Sequence, residues 1–331
     1  MKIADMHCDT VYMLLKKRRG GEAANLLENT LHMDLQKMKQ GDYLLQNFAI
    51  FVHQNETDRL YEECRAEYDV FADEMEKNKE LISQVFSYRD IEKNMAKGRI
   101  SALLTVEEGE VCQGEIKKLE ELYQLGVRMM TLVWNYDNSL STSASGHIPP
   151  MPRKYNGDRQ GLTETGMEFV QRMEELGMIP DVSHMSDAGI EDMLNITKKP
   201  FVASHSNARS LCPHQRNLTD DFLKRMGNKG CVIGANFFSR FLKKGAEFTR
   251  TERIADHILY MVNAAGSESV GLGSDFDGID CGLEMEDCSG MQTLTDALSG
   301  RGMSDEQIEK VFFKNVLRPV SYTHLTLPTI R

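Results

Sequence analysis

The stretch IADMHCDT, residues 3–10, joins a short apolar run to a histidine and an aspartate that lie two residues apart, His7 and Asp9. In an extended segment such residues point to the same side, so the imidazole and the carboxylate can converge on one cation. The same alternation predicts that Cys8 points away from that cation and into the core. A single histidine and aspartate at this spacing often occur together by chance. Its meaning depends on whether further ligand-type residues follow other strands.

Short β-branched or apolar runs recur along the chain and alternate with amphipathic helical stretches. Eight strands interleaved with helices indicate an α/β protein, and the pattern predicts a TIM-like (β/α)8 barrel. In such a barrel the C-terminal ends of all strands open onto one face, where active sites lie. The predicted strands cover residues 3–6, 44–52, 101–106, 127–133, 178–182, 200–203, 230–235 and 269–273.

Apolar residues at helical spacing predict the helices between these strands. Ser304 is followed by Gln307 three residues later, which is the pattern of a capping box, and the helix that begins there is predicted to run through Leu317. The long, turn-rich segment 134–161 resembles an active-site loop. The other main helices are predicted over residues 57–76, 114–124, 163–176, 186–195, 219–227 and 251–265.

The chain shows no internal repeat, low-complexity tract or Pro-rich linker, so residues 1–319 are predicted to form one domain. The last stretch, VSYTHLTLPTIR at 320–331, abandons the helical period and looks like translated sequencing-adapter sequence. We therefore expect residues 320–331 to be a non-native tail outside the fold. A genuine floppy tail is the alternative.

Composition limits the partners of this chain of 331 residues. Its 50 acidic and 39 basic residues give a net charge of -11, which disfavours nucleic acid and anionic membrane surfaces as partners. Without an apolar run long enough to cross a bilayer, and with an N-terminus that lacks a signal-peptide pattern, the chain is expected to be cytoplasmic. Seven cysteines without a CxxC pattern fit reduced thiols better than disulfides.

Three further ligand-type residues end or follow predicted strands, namely Glu107, His184 and His205. Buried polar groups cost free energy unless they are paired, so gathering these residues with His7 and Asp9 at one rim implies a shared metal partner. Nitrogen and oxygen ligands without thiolates favour zinc. Because one zinc ion needs only three protein ligands and a water, this set predicts two divalent metal ions.

Glu107 is the natural bridge between two ions, which would hold a nucleophilic hydroxide between them. Its neighbours Glu108 and Glu110 leave one question open. The segment EEGE at 107–110 could instead be a solvated acidic loop, and spacing alone does not say which glutamate turns inward.

The segment GLGSDFDG at 271–278 brings Asp275 to the same rim. With the metal ligands already assigned, its best role is to accept the proton of the attacking water and to pass it to the leaving amine. Asp277 could simply cap the turn. The segment lacks the spaced oxygen ligands and the closing glutamate of a calcium-binding EF-hand loop.

The chain resembles the renal (membrane) dipeptidase family of zinc metallopeptidases, a branch of the amidohydrolase superfamily, from Ile3 to about Leu317. The resemblance implies that His7, Asp9 and Glu107 hold the first zinc ion. It implies that Glu107, His184 and His205 hold the second, and that Asp275 is the catalytic acid/base. The motifs that carry it are DMHCDT, LLTVEEG, GVRMMTL, GLTETG, DVSHMS, ASHSNARSLCPHQRN and GLGSDFDG.

Two substrate-binding residues are assigned only by the resemblance. Arg216, in the segment HQRN, matches the arginine that binds the terminal carboxylate of a dipeptide, a task that suits a planar guanidinium. Trp134 stands where many relatives carry a substrate-contacting histidine after the fourth strand. An indole N–H can donate one hydrogen bond, but it cannot carry charge.

The favoured hypothesis is therefore a dizinc dipeptidase acting on dipeptide substrates. An amidohydrolase that cleaves another amide, such as a lactam or an N-acyl amino acid, with the same metal site is the alternative. A non-catalytic metal-binding protein is a third hypothesis, and the presence of all five ligands together with Asp275 argues against it. The oligomeric state is left open by the sequence, with a homodimer among the alternatives.

Overall fold

The computed structural model describes residues 1–145 and 160–324, without the side chains of 322–324. Eight parallel strands close into a barrel, because the second strand pairs with both the first and the fourth, and the first also pairs with the tenth. The strands are β1 (Ile3–Cys8), β2 (Tyr43–Phe51), β3 (Ile82–Gln84), β4 (Ile100–Glu107), β5 (Val127–Thr131), β6 (Ile179–Asp181), β7 (Val202–Ala203), β8 (Val232–Ala235), β9 (Phe248–Thr249), β10 (Val270–Leu272) and β11 (Gly282–Leu283).

Each of the eight predicted strands overlaps one barrel strand, so the predicted (β/α)8 fold is confirmed. Three short strands lie outside the barrel ring and were not predicted. β3 pairs with the first residues of β4, and β9 and β11 form a separate two-stranded sheet. With two or three residues each, these strands are too short to show a hydrophobic period.

Helices surround the barrel. The six main predicted helices are confirmed to within a few residues, and Ser304 with Gln307 forms the predicted capping box. The helices are α1 (Thr10–Arg19), α2 (Leu35–Gln40), α3 (Leu60–Lys77), α4 (Tyr88–Ala96), α5 (Ile116–Gln124), α6 (Glu164–Leu176), α7 (Asp187–Ile196), α8 (Asp220–Lys229), α9 (Ser239–Leu242), α10 (Thr251–Ala265), α11 (Gln292–Ser299), α12 (Asp305–Glu309) and α13 (Asn315–His324).

The last helix extends beyond its predicted end at Leu317. After a π-helical turn over Lys310–Lys314, α13 continues to His324, with Pro319 inside it. Val316 and Val320 are one helical turn apart and pack in the same apolar cluster as Ala4 and Met6 of β1, so burial favours the longer helix. Helix α13 thus contacts the interior of the barrel, and residues 325–331 of the predicted tail lie outside the described residues.

The alternation of side chains between the two faces of β1 is interrupted before the strand reaches the site. Ala4 and Met6 belong to the cluster that α13 joins, whereas Cys8 belongs to the larger cluster formed with the surrounding helices. Strict alternation would place all three residues on one face. The pairing of β1 with β2 is irregular between Asp5 and Cys8, and such irregularities re-aim side chains next to active sites. As predicted, Cys8 is buried in the core.

Candidate metal centre and active site

The five predicted metal ligands meet at the C-terminal face of the barrel. His7 lies near the end of β1 and Asp9 directly follows that strand, while Glu107 is the last residue of β4. His184 and His205 follow β6 and β7 within three residues. All five residues are more than nine-tenths buried. Because parallel strands end together, residues separated by up to 198 positions, from His7 to His205, converge here.

Glu107 lies between two groups of ligands. Its Oε2 is 3.6 Å from Nε2 of His7, whose ring also lies 3.3 Å from Oδ2 of Asp9. Its Oε1 is 3.1 Å from Nε2 of His184 and 3.4 Å from Nε2 of His205. One carboxylate therefore offers a separate oxygen to each side, as the predicted bridging role requires.

Hydrogen bonding fixes the tautomer of two of the imidazoles. The Nδ1 of His205 donates to Oγ of Ser204 at 2.8 Å, because that hydroxyl donates its own proton to Asp181. The Nδ1 of His184 donates to Oδ1 of Asn135 at 2.9 Å. Both Nε2 atoms therefore carry lone pairs, and they lie only 2.9 Å apart. Two lone pairs at this distance repel each other unless a cation binds them.

Two more buried atoms lack hydrogen-bond partners in this cluster. Nε2 of His7 has carboxylate oxygens nearby but makes no hydrogen bond of acceptable geometry, and Oδ1 of Asp9 has no partner. Orphaned buried polar atoms are rare in folded proteins because each costs free energy. Together with the facing lone pairs of His184 and His205, they fit the presence of divalent metal ions.

The cluster perturbs the ionisation of its members. Burial, together with the charge of the neighbouring Arg216, lowers the pKa of His184 to about 4, so this ring is neutral and able to bind a metal at pH 7. Burial likewise holds the pKa of His205 well below its usual value. Burial alone would lower the pKa of His7, but the charges of Glu107 and Asp9 raise it well above normal. A metal ion must displace a proton from His7.

Asp275, the predicted acid/base, lies beside this cluster. Two backbone hydrogen bonds join its loop to the end of β1 and to the residue that follows it, from N of Asp275 to O of His7 at 3.2 Å and from N of Asp9 to O of Phe276 at 2.9 Å. One side-chain oxygen accepts from Asn236 at 2.9 Å, and the other lies 3.8 Å from Nε2 of His7. Burial raises the pKa of Asp275 to about 8, with Asp9 and Glu107 adding to the effect of burial.

The geometry also lets Asp275 reach a metal. Oxygens of Asp275 and Asp9 and a ring nitrogen of His7 all lie within 4.8 Å of one another. Proximity alone thus leaves a ligand role for Asp275 alongside proton transfer. Asp277, two residues further on, has a structural role, since its oxygens accept from N of His32 at 2.7 Å and from Oγ1 of Thr10 at 2.6 Å.

The structure answers the question about the three glutamates. Glu107 turns into the ligand cluster, and the segment is not a solvated acidic loop because Glu108 and Glu110 are also buried. Glu108 accepts from the side-chain amide of Asn138 at 2.6 Å and from N of Trp134 at 3.3 Å. Glu110 accepts from N of Ser139 at 2.7 Å. These two carboxylates hold the loop after β5, which bears Trp134, against the loop after β4.

Arg216 is 4% exposed, and its guanidinium makes few hydrogen bonds for a buried cation. Its Nε has no hydrogen-bond partner, Nη2 approaches O of His205 at 3.5 Å, and the guanidinium stacks 5.3 Å from the ring centre of Phe241. Burial lowers its pKa to about 10, so it remains charged at neutral pH. A buried cation with an unused donor is suited to bind an anionic group.

Trp134 forms part of the wall of a cavity above the ligand cluster. Its ring lies 4.8 Å from Phe51, 5.0 Å from His53 and 6.0 Å from His184, measured between ring centres. The cavity has a volume of about 410 Å³ and reaches the ligand cluster at its base. Other apolar side chains that line the cavity include Phe238, Phe241 and Ile279.

Two buried aspartates that the sequence did not reveal support this site. Asp5 accepts from N of Ser274 at 3.0 Å, directly before Asp275, and the hydroxyl of Ser274 donates to the same carboxylate. Asp181 accepts from N of Ser204 at 2.8 Å, directly before His205. Each aspartate ends or lies within a barrel strand and fixes a serine beside a site residue. Only the spatial pairing of distant strands identifies them.

A closed parallel barrel with three imidazoles and two carboxylates around one point on its C-terminal face defines a metal-dependent hydrolase. The sequence matches the membrane dipeptidase family, peptidase family M19, over residues 1–326. The chain therefore belongs to this family of metallopeptidases, and it is a peptide-bond hydrolase. Membership in the family implies divalent metal ions in the site.

Relatives agree with this placement, and a solved structure shares the fold. An uncharacterised dipeptidase of Schizosaccharomyces pombe is 36% identical over 342 residues, which cover 98% of this chain and 81% of that protein. A dipeptidase of Claviceps purpurea is 32% identical over 69% of this chain and 52% of its own length. A Rhodobacter sphaeroides metallopeptidase, solved with a phosphinate mimic of the dipeptide L-Ala-D-Ala, shares the fold with a TM-score of 0.87 at 23% identity, over 98% of this chain and 99% of that chain.

Within residues 1–145 and 160–324, every helix is too short or too polar to cross a membrane. All seven cysteines carry free thiols, and all but Cys281 are buried, in line with the predicted reduced state.

Proposed function

We propose that this enzyme hydrolyses dipeptides with two divalent metal ions, zinc by the nature of the donors. The observation that carries the proposal is the position of Glu107, which offers one oxygen to His7 and the other to His184 and His205. His7, Asp9 and Glu107 would hold the first ion. Glu107, His184 and His205 would hold the second.

Bound there, the two ions would supply a bridging hydroxide that attacks the carbonyl carbon of the scissile bond at neutral pH. Proton transfer would then depend on residues of the chain itself. Asn236 holds one oxygen of Asp275 and leaves the other directed towards His7. Bound cations would lower the pKa of Asp275 from its metal-free value and ionise it. Its free oxygen would then be placed to take a proton from the attacking water and to deliver it to the leaving nitrogen.

Arg216 would select the substrate. The family is named for dipeptidases, and a dipeptide has a free carboxylate close to its single peptide bond. The unused Nε donor of Arg216 lies in a buried setting, where a charged hydrogen bond is stronger than in water. We infer that this guanidinium binds that carboxylate and so restricts the enzyme to short substrates.

The cavity walls suggest which side chains fit. The cavity of about 410 Å³ is lined by the apolar side chains of Trp134, Phe51, Phe238, Phe241 and Ile279. The volume suits a ligand of dipeptide size, and the apolar walls favour apolar side chains. The indole of Trp134 carries no positive charge. Stabilisation of the negative charge that develops on the substrate oxygen would therefore depend mainly on the metal ions.

The ligand that the Rhodobacter protein binds is a mimic of L-Ala-D-Ala. Carried over to this chain as part of the proposal, it favours dipeptides with a small residue and makes a D-residue at the C-terminal position worth testing.

The test combines metal analysis with a substrate panel. Purified protein loaded with zinc should hold two ions per chain and should cleave L,L-, L,D- and Gly-containing dipeptides. It should cleave the same dipeptides poorly when the terminal carboxylate is amidated. Arg216→Lys should lower kcat/KM for free dipeptides by about 10- to 100-fold, the loss of one charge-assisted hydrogen bond, and should narrow the gap to the amidated ones.

Cleavage of lactams or N-acyl amino acids in preference to every dipeptide would instead support the alternative amidohydrolase function. Two bound ions with no hydrolysis across the panel would leave only a metal-binding role.

A further inference from the structure

Asn135 holds the ring of His184 in place. Its Oδ1 accepts the Nδ1–H of His184 at 2.9 Å and also accepts the hydroxyl of Ser145 at 2.9 Å. Two donors on one oxygen are consistent with its being the carbonyl end of the amide. A ring that donates from Nδ1 leaves Nε2 unprotonated, and that atom lies 3.1 Å from Oε1 of Glu107.

The backbone of His184 also depends on the loop that bears Asn135. His184 has a φ of 69°, a left-handed conformation that is uncommon for histidine and needs support from its surroundings. Its carbonyl accepts from N of Ala144 at 2.7 Å. The hydroxyl of Ser143 donates to O of Trp134 at 2.6 Å, which closes the loop on itself. Residues 134–145 therefore hold both the ring and the main chain of His184.

The same loop forms a wall of the substrate cavity. Trp134 and Asn135 both line this cavity, next to Phe51 and His184. His205, the other histidine assigned to the second ion, does not use this loop, because Ser204 and Asp181 orient it from the barrel strands. One histidine is thus held by the barrel and the other by a loop that forms part of the substrate cavity.

We propose that Asn135 is a positioning residue that sets the tautomer of His184 and thereby the affinity of the second metal ion. The proposal rests on the two-metal function above. Partners that fix the far nitrogen of a ligating histidine affect metal affinity by about 10- to 100-fold. Loss of the Asn135 oxygen frees the ring to rotate or to carry its proton on Nε2, where a proton blocks the metal.

The test compares three variants with the wild type. Asn135→Ala removes the acceptor, and Asn135→Asp keeps an oxygen at the same reach. Ser145→Ala is the matched control, since it removes the other donor to Asn135 but leaves the bond to His184. The dissociation constants of the first and second zinc ions are measured by competition with a chromophoric chelator, and the unfolding temperature of each metal-free protein is recorded.

The proposal expects Asn135→Ala to weaken the second ion about 10- to 100-fold, to leave the first ion unchanged and to unfold without metal near the wild-type temperature. Asn135→Asp and Ser145→Ala should bind both ions nearly as the wild type does. Wild-type affinity for both ions in Asn135→Ala would overturn it, and so would equal weakening of both ions. A wild type that holds only one ion would overturn the two-metal function itself, whereas two ions without dipeptide cleavage would overturn only the activity.

Discussion

The Nε2 atoms of His184 and His205 lie 2.9 Å apart, although each ring already donates its Nδ1 proton to another partner. The contact is unfavourable in the absence of a cation. Nε2 of His7, close by, also lacks a hydrogen-bond partner. These contacts destabilise the metal-free folded state, and metal binding would remove the repulsion. The stability of the protein should therefore depend on its metal.

Removing metal with a chelator is expected to lower the unfolding temperature, because ions bind the folded state and not the unfolded one. An ion at about 1,000 times its dissociation constant contributes about 4 kcal/mol. His205→Ala should bind one ion and show roughly half of the effect that two bound ions have together. Calorimetry with and without zinc measures it. Identical unfolding temperatures for the zinc-loaded and chelated wild type would contradict a metal centre at this position.

Asp275→Asn should lower kcat by about 10²- to 10⁴-fold, the range for loss of a positioned acid/base. The backbone should accept the change, since Asp275 has a φ of 64° and asparagine tolerates the left-handed region. Metal analysis is the control, with two ions per chain expected. Loss of one ion would show that Asp275 is a ligand, and wild-type turnover would remove it from the mechanism.

Trp134 is the single tryptophan of the chain, so its fluorescence reports on the cavity. A phosphinate dipeptide mimic titrated into metal-loaded protein should change the emission of Trp134. Trp134→Ala should raise KM several-fold through loss of apolar contact, with the metal content unchanged. Trp134→Phe should retain most of the affinity. Emission that does not respond to a tightly bound mimic would place the ligand elsewhere.

Glu108 provides a test by pH. Burial raises the pKa of Glu108 to about 8, against 4.5 for an ordinary glutamate. A folded-state pKa above the unfolded value means that the protonated form stabilises the fold, and this stability is lost as the pH rises from about 4.5 through 8. Glu108→Gln mimics the protonated acid. In metal-free protein, its free energy of unfolding should increase relative to that of the wild type as the pH rises.

Urea unfolding at several pH values between 5 and 9 measures this difference. The free energy of unfolding of the variant minus that of the wild type should increase across the range. Parallel curves would mean that Glu108 is ionised in the folded protein throughout.

Much of the architecture could be predicted from local patterns. Strand-length apolar runs, helical periodicity and the cap formed by Ser304 and Gln307 depend on neighbours in the sequence, and the structure confirms them. His7, Asp9, Glu107, His184 and His205 could be grouped because a parallel barrel brings every strand end to one face. That single topological rule turns positions along the chain into positions in space.

The tertiary structure alone decided what depends on packing between distant segments. The choice of Glu107 over Glu108 and Glu110 follows from contacts with the loop after β5. Helix α13 passes Leu317 because Val320 is buried beside β1. The residues that orient the ligands, Asn135 and Asp181, carry no local signal, since each is one polar residue among many until folding places it beside a histidine. Local periodicity determined the strands and helices of the barrel. Pairing between segments distant in sequence decided which polar groups act together.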